Sequence, residues 1–429
     1  MIRPLYSLVL IGIQPLLRRK LRRRGTAEPG YLEHVEERFG RYRNPSEPGR
    51  LWIHAVSLGE TRAASILVEA LRREQPALRV LLTHGTATGR TEGQRLLREG
   101  DAQAWLPWDT PRAVRGFLEH FRPSAGVLME TEIWPNLAAA CREHGVPLAL
   151  ANARLSAKSL QQALRLKSLS RPAYAALAAV WAQTEADARR LADAGATVQG
   201  IYGNLKFDAT PDAAQHARGR GWRAAHGRPV VMFASSREGE EADFLRALPR
   251  DAGVQWLLVP RHPQRFEDVA LLAMQGGFSV SRRSAWGDGG PQSAQVWIGD
   301  SLGEMALYYG LADAALLGGS FAPLGGQNLI EAAACGCPVV MGPHTFNFAE
   351  AAALAQEAGA ALEVQDLRGG IDTTLALVTD AQRQRAMADA SERFAAAHRG
   401  AARKTAAAIL ELTSSLSLRE RVGVRAAPG

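Results

Sequence analysis

The chain has 429 residues, of which 46% are hydrophobic, and its formal net charge is +8. The length predicts two or three domains, and three cysteines in apolar surroundings exclude a disulfide framework and a paired zinc site, which favours a reducing compartment. The positive charge implies an anionic partner, such as a nucleic acid, an acidic lipid or a phosphorylated metabolite.

The N-terminus combines an apolar run at 5–17, which Gln14 and Pro15 interrupt, with six basic residues between Arg18 and Arg24. The run is shorter than the roughly 20 residues that span a bilayer, and its charge follows it rather than precedes it, unlike a cleavable signal. Residues 1–25 therefore suit a membrane-associated helix on an anionic surface, and the positive flank favours the cytoplasmic face. A buried helix and a short membrane span are the alternatives.

Predicted strands alternate with helices after residue 50. The expected strands lie at 51–56, 79–83, 125–129, 147–152 and 180–183, and then at 230–234, 255–259, 295–298, 314–317 and 338–341. Strands separated by helices of this length imply parallel, doubly wound sheets.

A turn-rich, polar stretch between 203 and 227 separates the two series and marks the hinge. We therefore predict an α/β protein with two Rossmann-like domains that face each other across a cleft. The expected boundaries are 26–205 for the N-terminal domain and 206–415 for the C-terminal domain. The tail at 416–429 has few large apolar residues and is expected to be disordered.

A glycine-rich loop at 318–326 leads from one predicted strand into a short helix that begins near Asn328. Backbone N–H groups at a helix N-terminus lack intrahelical partners, and the helix dipole adds positive potential, so this site favours a phosphate. Gly325 and Gly326 would let the backbone approach a ligand closely. Glu331, one turn further on, could accept from ribose hydroxyls. Alternatively, Asn328 and Glu331 form only an N-cap and its reciprocal acid.

Two acids follow strands of the N-terminal series. Ligands of open α/β sheets bind beyond the carboxyl ends of the strands, and Glu60 and Glu130 follow the strands at 51–56 and 125–129. At this edge of the sheet, here called the rim, the two acids could have different catalytic roles. One would take a proton, and the other would stabilise positive charge. Alternatively, Glu60 complements a helix dipole and Glu130 pairs with a loop arginine.

The same rule selects four loops of the C-terminal series. Residues 235–237 offer hydroxyls and a cation, and Arg261 suits bidentate binding of a phosphate. The third loop, 300–304, contains Ser301 and Glu304, which also fit a capping box. With the glycine-rich loop, this set indicates a nucleotide site.

Several sharper motifs are absent from the sequence. Residues 85–91 (GTATGRT) lack the lysine and the spacing of a P-loop, and no G-x-G-x-x-G follows the first strand, which disfavours a redox dinucleotide. No histidine pair has helical ligand spacing, so neither a metal nor a cofactor is predicted. His262 and His344, beside proline turns, are better explained as structural donors.

Six segments of the sequence match the motifs of a known protein family, in the same order and with compatible spacing. They are HAVSLGE at 54–60, ETEIWPN at 130–136, NARLS at 152–156, GNLKFD at 203–208, VPRHP at 259–263 and MGPHTFNF at 341–348. The chain thereby closely resembles bacterial 3-deoxy-D-manno-octulosonic acid (Kdo) transferases of lipopolysaccharide biosynthesis, from its N-terminal apolar segment to about residue 400. The resemblance implies the GT-B fold and metal-independent, inverting transfer of Kdo from CMP-Kdo to lipid IVA, the lipid A precursor.

The resemblance also implies roles for particular residues. Glu60 would be the general base on the acceptor hydroxyl, and Glu130 would stabilise the transition state. The donor nucleotide would be held by residues of three rim loops: Pro260, Arg261, Leu302, Gly303, Glu304, Asn328, Leu329, Ile330 and Glu331. Gln327 and Ser235 depart from the family pattern, in which histidine and glycine are common. The implied location is the cytoplasmic face of the cell inner membrane, with anionic lipid and no nucleic acid as partner.

Two other functions are compatible with the sequence. The protein could be another GT-B enzyme, a UDP-sugar transferase or a nucleotide-sugar epimerase, which titration with CMP against UDP would separate. It could also be an inert basic protein that binds membranes or nucleic acid. The clustering of apolar and basic residues before Gly25 fits lipid better than a nucleic-acid groove.

Overall fold

A computed structural model of the chain describes residues 2–43, 45–250 and 253–425. The described residues form two compact units. Unit 1 comprises the chain as far as Asp208 together with the residues from Arg399 onward, and unit 2 comprises Ala209–His398.

A parallel sheet forms the centre of unit 1. Its strands within the described residues are β1 (Leu51–His54), β2 (Val80–His84), β3 (Ala102–Trp105), β4 (Ala125–Met129), β5 (Leu148–Ala153), β6 (Ala179–Ala182) and β7 (Gly200–Ile201). They lie in the order β3-β2-β1-β4-β5-β6-β7. The chain order reverses between β1 and β4, where Leu51 lies opposite Ala125. Ligands of doubly wound sheets bind at such a reversal.

Helices cover both faces of this sheet. They are α1 (Ile2–Gly12), α2 (Gln14–Ala27), α3 (Leu58–Glu74), α4 (Ala87–Gln94), α5 (Pro111–Phe121), α6 (Pro135–Glu143), α7 (Ala157–Arg165), α8 (Lys167–Ala175), α9 (Glu185–Ala194) and, after unit 2, α18 (Ala401–Arg425). Because successive side chains of a strand point to opposite faces, β1 contributes to two cores. Trp52 packs with Phe117 on one face, and Ile53 packs with Leu67 on the other.

The predicted N-terminal helix is present as α1 and α2. Two side chains of α1 hold it against unit 1: the Tyr6 hydroxyl donates to Asp109 Oδ2 at 3.0 Å, and the Ser7 hydroxyl donates to Asn136 Oδ1 at 3.1 Å. The remaining face of α1 exposes large apolar side chains, such as Leu5 at 62% and Leu8 at 65%. Among the described residues, no helix has both the length and the apolar character that crossing a membrane requires. Membrane association stays a prediction.

Unit 2 contains a second parallel sheet. Its strands within the described residues are β8 (Val230–Ser236), β9 (Gln255–Pro260), β10 (Val280–Arg282), β11 (Val296–Ile298), β12 (Ala314–Leu317), β13 (Val339–Met341) and β14 (Ala361–Glu363). They lie in the order β10-β11-β9-β8-β12-β13-β14, so β8 and β12 are neighbours and Leu317 lies opposite Ala234. The loops that follow β8 and β12 therefore meet at the carboxyl edge.

The helices of unit 2 are α10 (Ala213–Ala225), α11 (Glu240–Ala247), α12 (Phe266–Gln275), α13 (Met305–Leu311), α14 (Leu329–Ala334), α15 (Ala349–Glu357), α16 (Leu367–Thr379) and α17 (Ala381–Ala397). A core of large side chains lies between α11, α12, α16 and one face of the sheet, with Phe233 and Phe244 at its centre. The fold thus has two doubly wound α/β units, as predicted. The cleft between them stays a prediction.

The predicted domain boundaries need one correction, because the end of the chain returns to unit 1. Ala406 and Ile409 of α18 are fully buried in the core that includes α3. The Asp208 carboxylate accepts the backbone N–H groups of Gly400 and Ala402 and so caps the start of this helix. The C-terminal domain therefore ends at His398 rather than at 415.

The tail that we expected to be disordered is helical as far as Arg425, and 426–429 lie outside the described residues. Once a helix is nucleated, each further residue adds a hydrogen bond at little cost. A stretch with few large apolar residues can therefore continue a helix that packing has already started.

Candidate active site

Glu60 lies in the first turn of α3, directly beyond β1. Ser57 is the N-cap of this helix, and its hydroxyl accepts the Glu60 N–H at 3.3 Å. The Glu60 carboxylate in turn accepts the Val56 N–H at 2.7 Å and the Ser57 hydroxyl at 3.2 Å. The interpretation of Glu60 as a first-turn acid is thus correct, and the same contacts fix its carboxylate at the carboxyl edge of the sheet.

Glu60 is electrostatically unusual. Burial raises the pKa of its carboxyl to about 7, and the negative charges of Glu130 and Glu132 contribute to the rise, against hydrogen bonds from Val56 and Ser57. A carboxyl group that titrates near neutral pH can take a proton from a hydroxyl group. Glu60 and Glu130 follow the neighbouring strands β1 and β4, so both lie at the carboxyl edge of this sheet.

Glu130 follows β4 and is only 3% exposed. Its backbone is left-handed, with φ of 60°, a conformation that few non-glycine residues adopt. Arg154 Nε donates to Glu130 Oε2 at 2.7 Å, and Lys206 Nζ lies 3.6 Å from Oε1. Pairing with a loop arginine is therefore confirmed, and a second cation adds to it.

Asn152 joins the two segments that carry these cations. Its backbone is also left-handed, with φ of 52°, and its Oδ1 accepts the Leu205 N–H at 3.0 Å. Arg154 contacts one oxygen of the Glu130 carboxylate, and Lys206 lies near the other. Sequence reasoning did not select either cation as a site residue, although both lie in segments that carried the resemblance.

In unit 2, Pro260 ends β9 and Arg261 follows it. The Arg261 N–H donates to the Ser236 carbonyl at 3.0 Å, which ties the loop after β9 to the end of β8. Burial lowers the pKa of His262, and the charges of Arg237 and Arg261 lower it further. Arg237 and Arg261 follow the neighbouring strands β8 and β9, so both lie at the carboxyl edge of the sheet. Two guanidinium groups at one sheet edge suit a phosphate. Arg237 is the cation of the 235–237 loop, and it was not among the predicted site residues.

Leu302, Gly303 and Glu304 follow β11. Glu304 accepts from the Ser301 hydroxyl and from Arg283 Nη2, the latter at 2.7 Å. The capping-box interpretation of Ser301 and Glu304 is wrong, because α13 begins at Met305 and Glu304 itself occupies its N-cap position. The Leu302 side chain is 67% exposed.

Asn328 to Glu331 form the start of α14, which has only six residues. The Asn328 Oδ1 accepts the Ile330 N–H at 3.2 Å, so the N-cap part of the alternative interpretation is confirmed. Leu329 and Ile330 are each 1% exposed, so they can offer a ligand backbone groups but not side chains.

Gly325 and Gly326 both have positive φ, at 91° and 74°. A Cβ at Gly325 would lie 2.3 Å from Asn347 Nδ2, and the Gly325 carbonyl accepts the Asn347 N–H at 3.0 Å. Packing against the segment around Asn347 therefore already requires this glycine. The close approach of a ligand to the Gly325 backbone, which we expected from the sequence, would be a second reason for a glycine here.

The sequence matches known proteins along most of its length. Residues 33–209 match the family model described as 3-deoxy-D-manno-octulosonic-acid transferase (kdotransferase). The 3-deoxy-D-manno-octulosonic acid transferase of Bordetella pertussis is 48% identical over 423 residues, which cover 94% of this chain and 97% of that protein. The enzyme of the same name from Haemophilus influenzae is 32% identical over 390 residues, covering 89% and 91%.

A solved glycosyltransferase from Rickettsia africae covers 86% of this chain and 99% of its own, with a TM-score of 0.55 and 10% sequence identity. At that identity the likeness concerns the fold alone, and it agrees with the predicted GT-B architecture. The sequence relatives decide the family. With its six motifs, its two doubly wound units and its close relative along nearly the whole length, the chain belongs to the 3-deoxy-D-manno-octulosonic acid (Kdo) transferases.

Proposed function

We propose that this Kdo transferase uses CMP-Kdo as donor and lipid IVA as acceptor and inverts the anomeric configuration without a bound metal. The observation that carries the mechanism is the pair of acids at the switch point of the first sheet. One of them titrates at about pH 7, and the other is held between two cations.

Glu60 acts as the general base. As the acceptor hydroxyl oxygen attacks the anomeric carbon of Kdo, its proton passes to the Glu60 carboxylate and the bond from that carbon to the CMP phosphate breaks. The electron pair of that bond leaves with CMP. Positive charge develops on the sugar in such a transition state, and the Glu130 carboxylate stabilises it electrostatically.

Unit 2 holds the cytidylate leaving group. Arg261, with Arg237 beside it, offers fixed positive charge to the phosphate, since a guanidinium forms paired hydrogen bonds with phosphate oxygens. Other donor contacts come from Pro260, from the loop with Leu302, Gly303 and Glu304, and from the turn that contains Asn328, Leu329, Ile330 and Glu331. For Leu329 and Ile330 these contacts are made by the backbone, because their side chains are buried.

The N-terminal helices place the enzyme at the cytoplasmic face of the cell inner membrane. The exposed apolar face of α1 enters the lipid, and the basic residues of α2 contact anionic headgroups, each contributing about 1 kcal/mol. The acceptor is itself an anionic lipid, so the same surface concentrates it. Nucleic acid is not a partner in this scheme.

The decisive experiment is incubation with lipid IVA and a system that generates CMP-Kdo, with and without EDTA. We expect a product heavier by one or more Kdo units, an inverted anomeric configuration by NMR, and no effect of EDTA. A product that requires a metal, or thermal stabilisation by UDP but not by CMP, would contradict the proposal.

A further inference from the structure

Glu240 connects the two loops at the switch point of unit 2. It is the first residue of α11 and is only 4% exposed. One of the loops follows β8 and carries Arg237, and the other follows β12 and begins at Gly318. The loops approach so closely that a Cβ at Gly318 would lie 2.4 Å from the Ser235 carbonyl oxygen.

The Glu240 carboxylate collects backbone donors from both loops. The Gly319 N–H donates to its two oxygens at 2.9 and 2.8 Å, and the Arg237 N–H donates to Oε2 at 3.0 Å. The backbone N–H groups of Phe321 and Ala322 also stabilise its charge, which opposes the rise in the pKa of Glu240 that burial causes. In the reverse direction, the Glu240 N–H donates to the Arg237 carbonyl at 3.1 Å.

Clustered backbone N–H groups of this kind form a concavity that binds anions. Here the carboxylate of Glu240, from the same unit, fills the concavity, so the N–H groups of Gly319 and Arg237 are already occupied. Burying a carboxylate without hydrogen-bond donors costs free energy, and so does burying N–H groups without an acceptor. The arrangement therefore fixes the shape of the loop before any ligand arrives.

The loop conformation continues into residues proposed to bind the donor. The Gly319 carbonyl accepts the Gly326 N–H at 2.8 Å, two residues before Asn328. On the other side, the Arg237 turn follows Ser236, whose carbonyl holds Arg261. Glu240 thus lies where the two halves of the phosphate-binding edge join.

We propose that Glu240 is a positioning residue for the donor nucleotide, serving as an internal anion that holds the Arg237 turn and the glycine-rich loop in the conformation that binds the cytidylate phosphate. This inference rests on the proposed function, in which unit 2 binds CMP-Kdo. It assigns the phosphate to the side chains of Arg237 and Arg261 and to the turn before α14, rather than to the N–H groups that Glu240 occupies.

The test compares Glu240→Gln with Asp313→Asn in the full chain. Glutamine keeps the size of the side chain but presents an NH2 group to backbone donors. Asp313 lies before β12, at the opposite edge of the same sheet, where its Oδ2 accepts the Val230 N–H at 2.7 Å and binds Arg223. It is therefore a matched loss of a carboxylate that holds backbone, away from the proposed donor edge.

Calorimetric titration with CMP and thermal unfolding are measured for each variant. We expect both variants to unfold at lower temperature, whereas only Glu240→Gln weakens CMP binding, by about tenfold or more, and raises the KM for CMP-Kdo with kcat and the KM for lipid IVA little changed. If Glu240→Gln unfolds earlier yet binds CMP like the wild type, the residue is structural only and the inference is wrong.

Two further outcomes separate a failure of this inference from a failure of the proposed function. If Glu240→Gln does not fold, Glu240→Asp, which keeps the charge on a shorter side chain, is judged by the same comparison of CMP affinity with Asp313→Asn. If the wild-type protein itself does not bind CMP, the proposed donor is wrong, and the positioning role falls with it.

Discussion

At the scale of single residues, Glu60 has a structural task beside the chemical one that we propose for it. Its carboxylate holds the turn between β1 and α3 through Val56 and Ser57, and burial keeps its pKa near 7. The N-terminus of α3 lies at the carboxyl edge of the sheet, so the hydrogen bonds that orient the Glu60 side chain also lower its pKa and resist its protonation. A glutamine at this position can keep some of the contacts but cannot accept a proton.

We therefore expect Glu60→Gln to lower kcat by about 10²- to 10⁴-fold, the usual contribution of a general base, while CMP binding is unchanged. The measurement is the transfer rate to lipid IVA, with circular dichroism as the folding check. Glu74→Gln, at the exposed end of the same helix, is the matched control. Near-wild-type transfer by folded Glu60→Gln would show that another group takes the proton.

The pH dependence of transfer follows from the same residue. Because only ionised Glu60 accepts a proton, the rate should rise with pH through about 7 and then level off. Glu130→Gln removes a nearby negative charge and should move this limb to lower pH. Arg154→Ala removes a positive charge that neutralises Glu130, so it should move the rising limb of the pH profile to higher pH. Identical limbs in all three proteins would mean that another group is responsible.

Arg237 and Arg261 are expected to bind the donor phosphate. Replacing either by alanine should weaken CMP binding by roughly 10- to 100-fold, the worth of a charge-assisted hydrogen bond. Cytidine, which lacks the phosphate, should bind each variant and the wild type equally well, in calorimetric titrations at one salt concentration. An equal loss for cytidine would indicate damage to the base site or to the fold.

At the scale of elements, the sequence predicted the central strands better than the edges. The strands that it missed, β3, β7, β10 and β14, are the edge strands of the two sheets. Central strands are buried on both faces and read as continuous apolar runs, whereas edge strands are short and partly solvated. β7 has two residues, Gly200 and Ile201, and no pattern can be recognised in so few.

The candidate site was predictable to a similar degree. Glu60 and Glu130 could be located because the rule that ligands bind beyond the carboxyl ends of strands requires only the positions of those ends. It could not find Arg154, Lys206 or Glu240, whose roles depend on which loops meet, and therefore on strand order. The reversal between β1 and β4 is set by packing, which a single sequence does not reveal.

The exposed face of α1 gives a prediction for the membrane. Leu5→Ser with Leu8→Ser should weaken partitioning into vesicles that contain phosphatidylglycerol by roughly 10²- to 10⁴-fold, since each leucine buried in lipid contributes roughly 1.5–3 kcal/mol. The control is Leu271→Ser with Met274→Ser on α12, which is similarly exposed but lacks a basic cluster. Equal losses for both pairs would argue against a specific role of α1.

At the scale of the whole molecule, the chain passes from unit 1 to unit 2 and back. The hinge near Gly203 was visible as a turn-rich stretch, but the return at Arg399 was not, because Ala- and Arg-rich helices look alike wherever they pack. The buried Ala406 and Ile409 show which surface α18 completes. The stability of unit 1 thus depends on residues that follow unit 2.

Ile409→Ala should lower the free energy of unfolding of unit 1 by roughly 2–5 kcal/mol, as expected for a fully buried isoleucine. Leu377→Ala, in the core of unit 2, is the converse control. Hydrogen exchange resolves the two units: the first variant should lose protection in β1 and α3, and the second in β8 and α16. Loss of protection throughout the chain in both variants would show that the units unfold together.

The return of α18 also orders events on the ribosome. Synthesis proceeds from the N-terminus, so the first sheet emerges early but lacks the helix that covers part of its core until the 190 residues of Ala209–His398 have been made. Unit 2 therefore has all its elements before unit 1 does. A nascent chain that stalls within α17 should therefore carry a finished second sheet and an exposed apolar surface on the first, which makes it a substrate for chaperones until translation resumes.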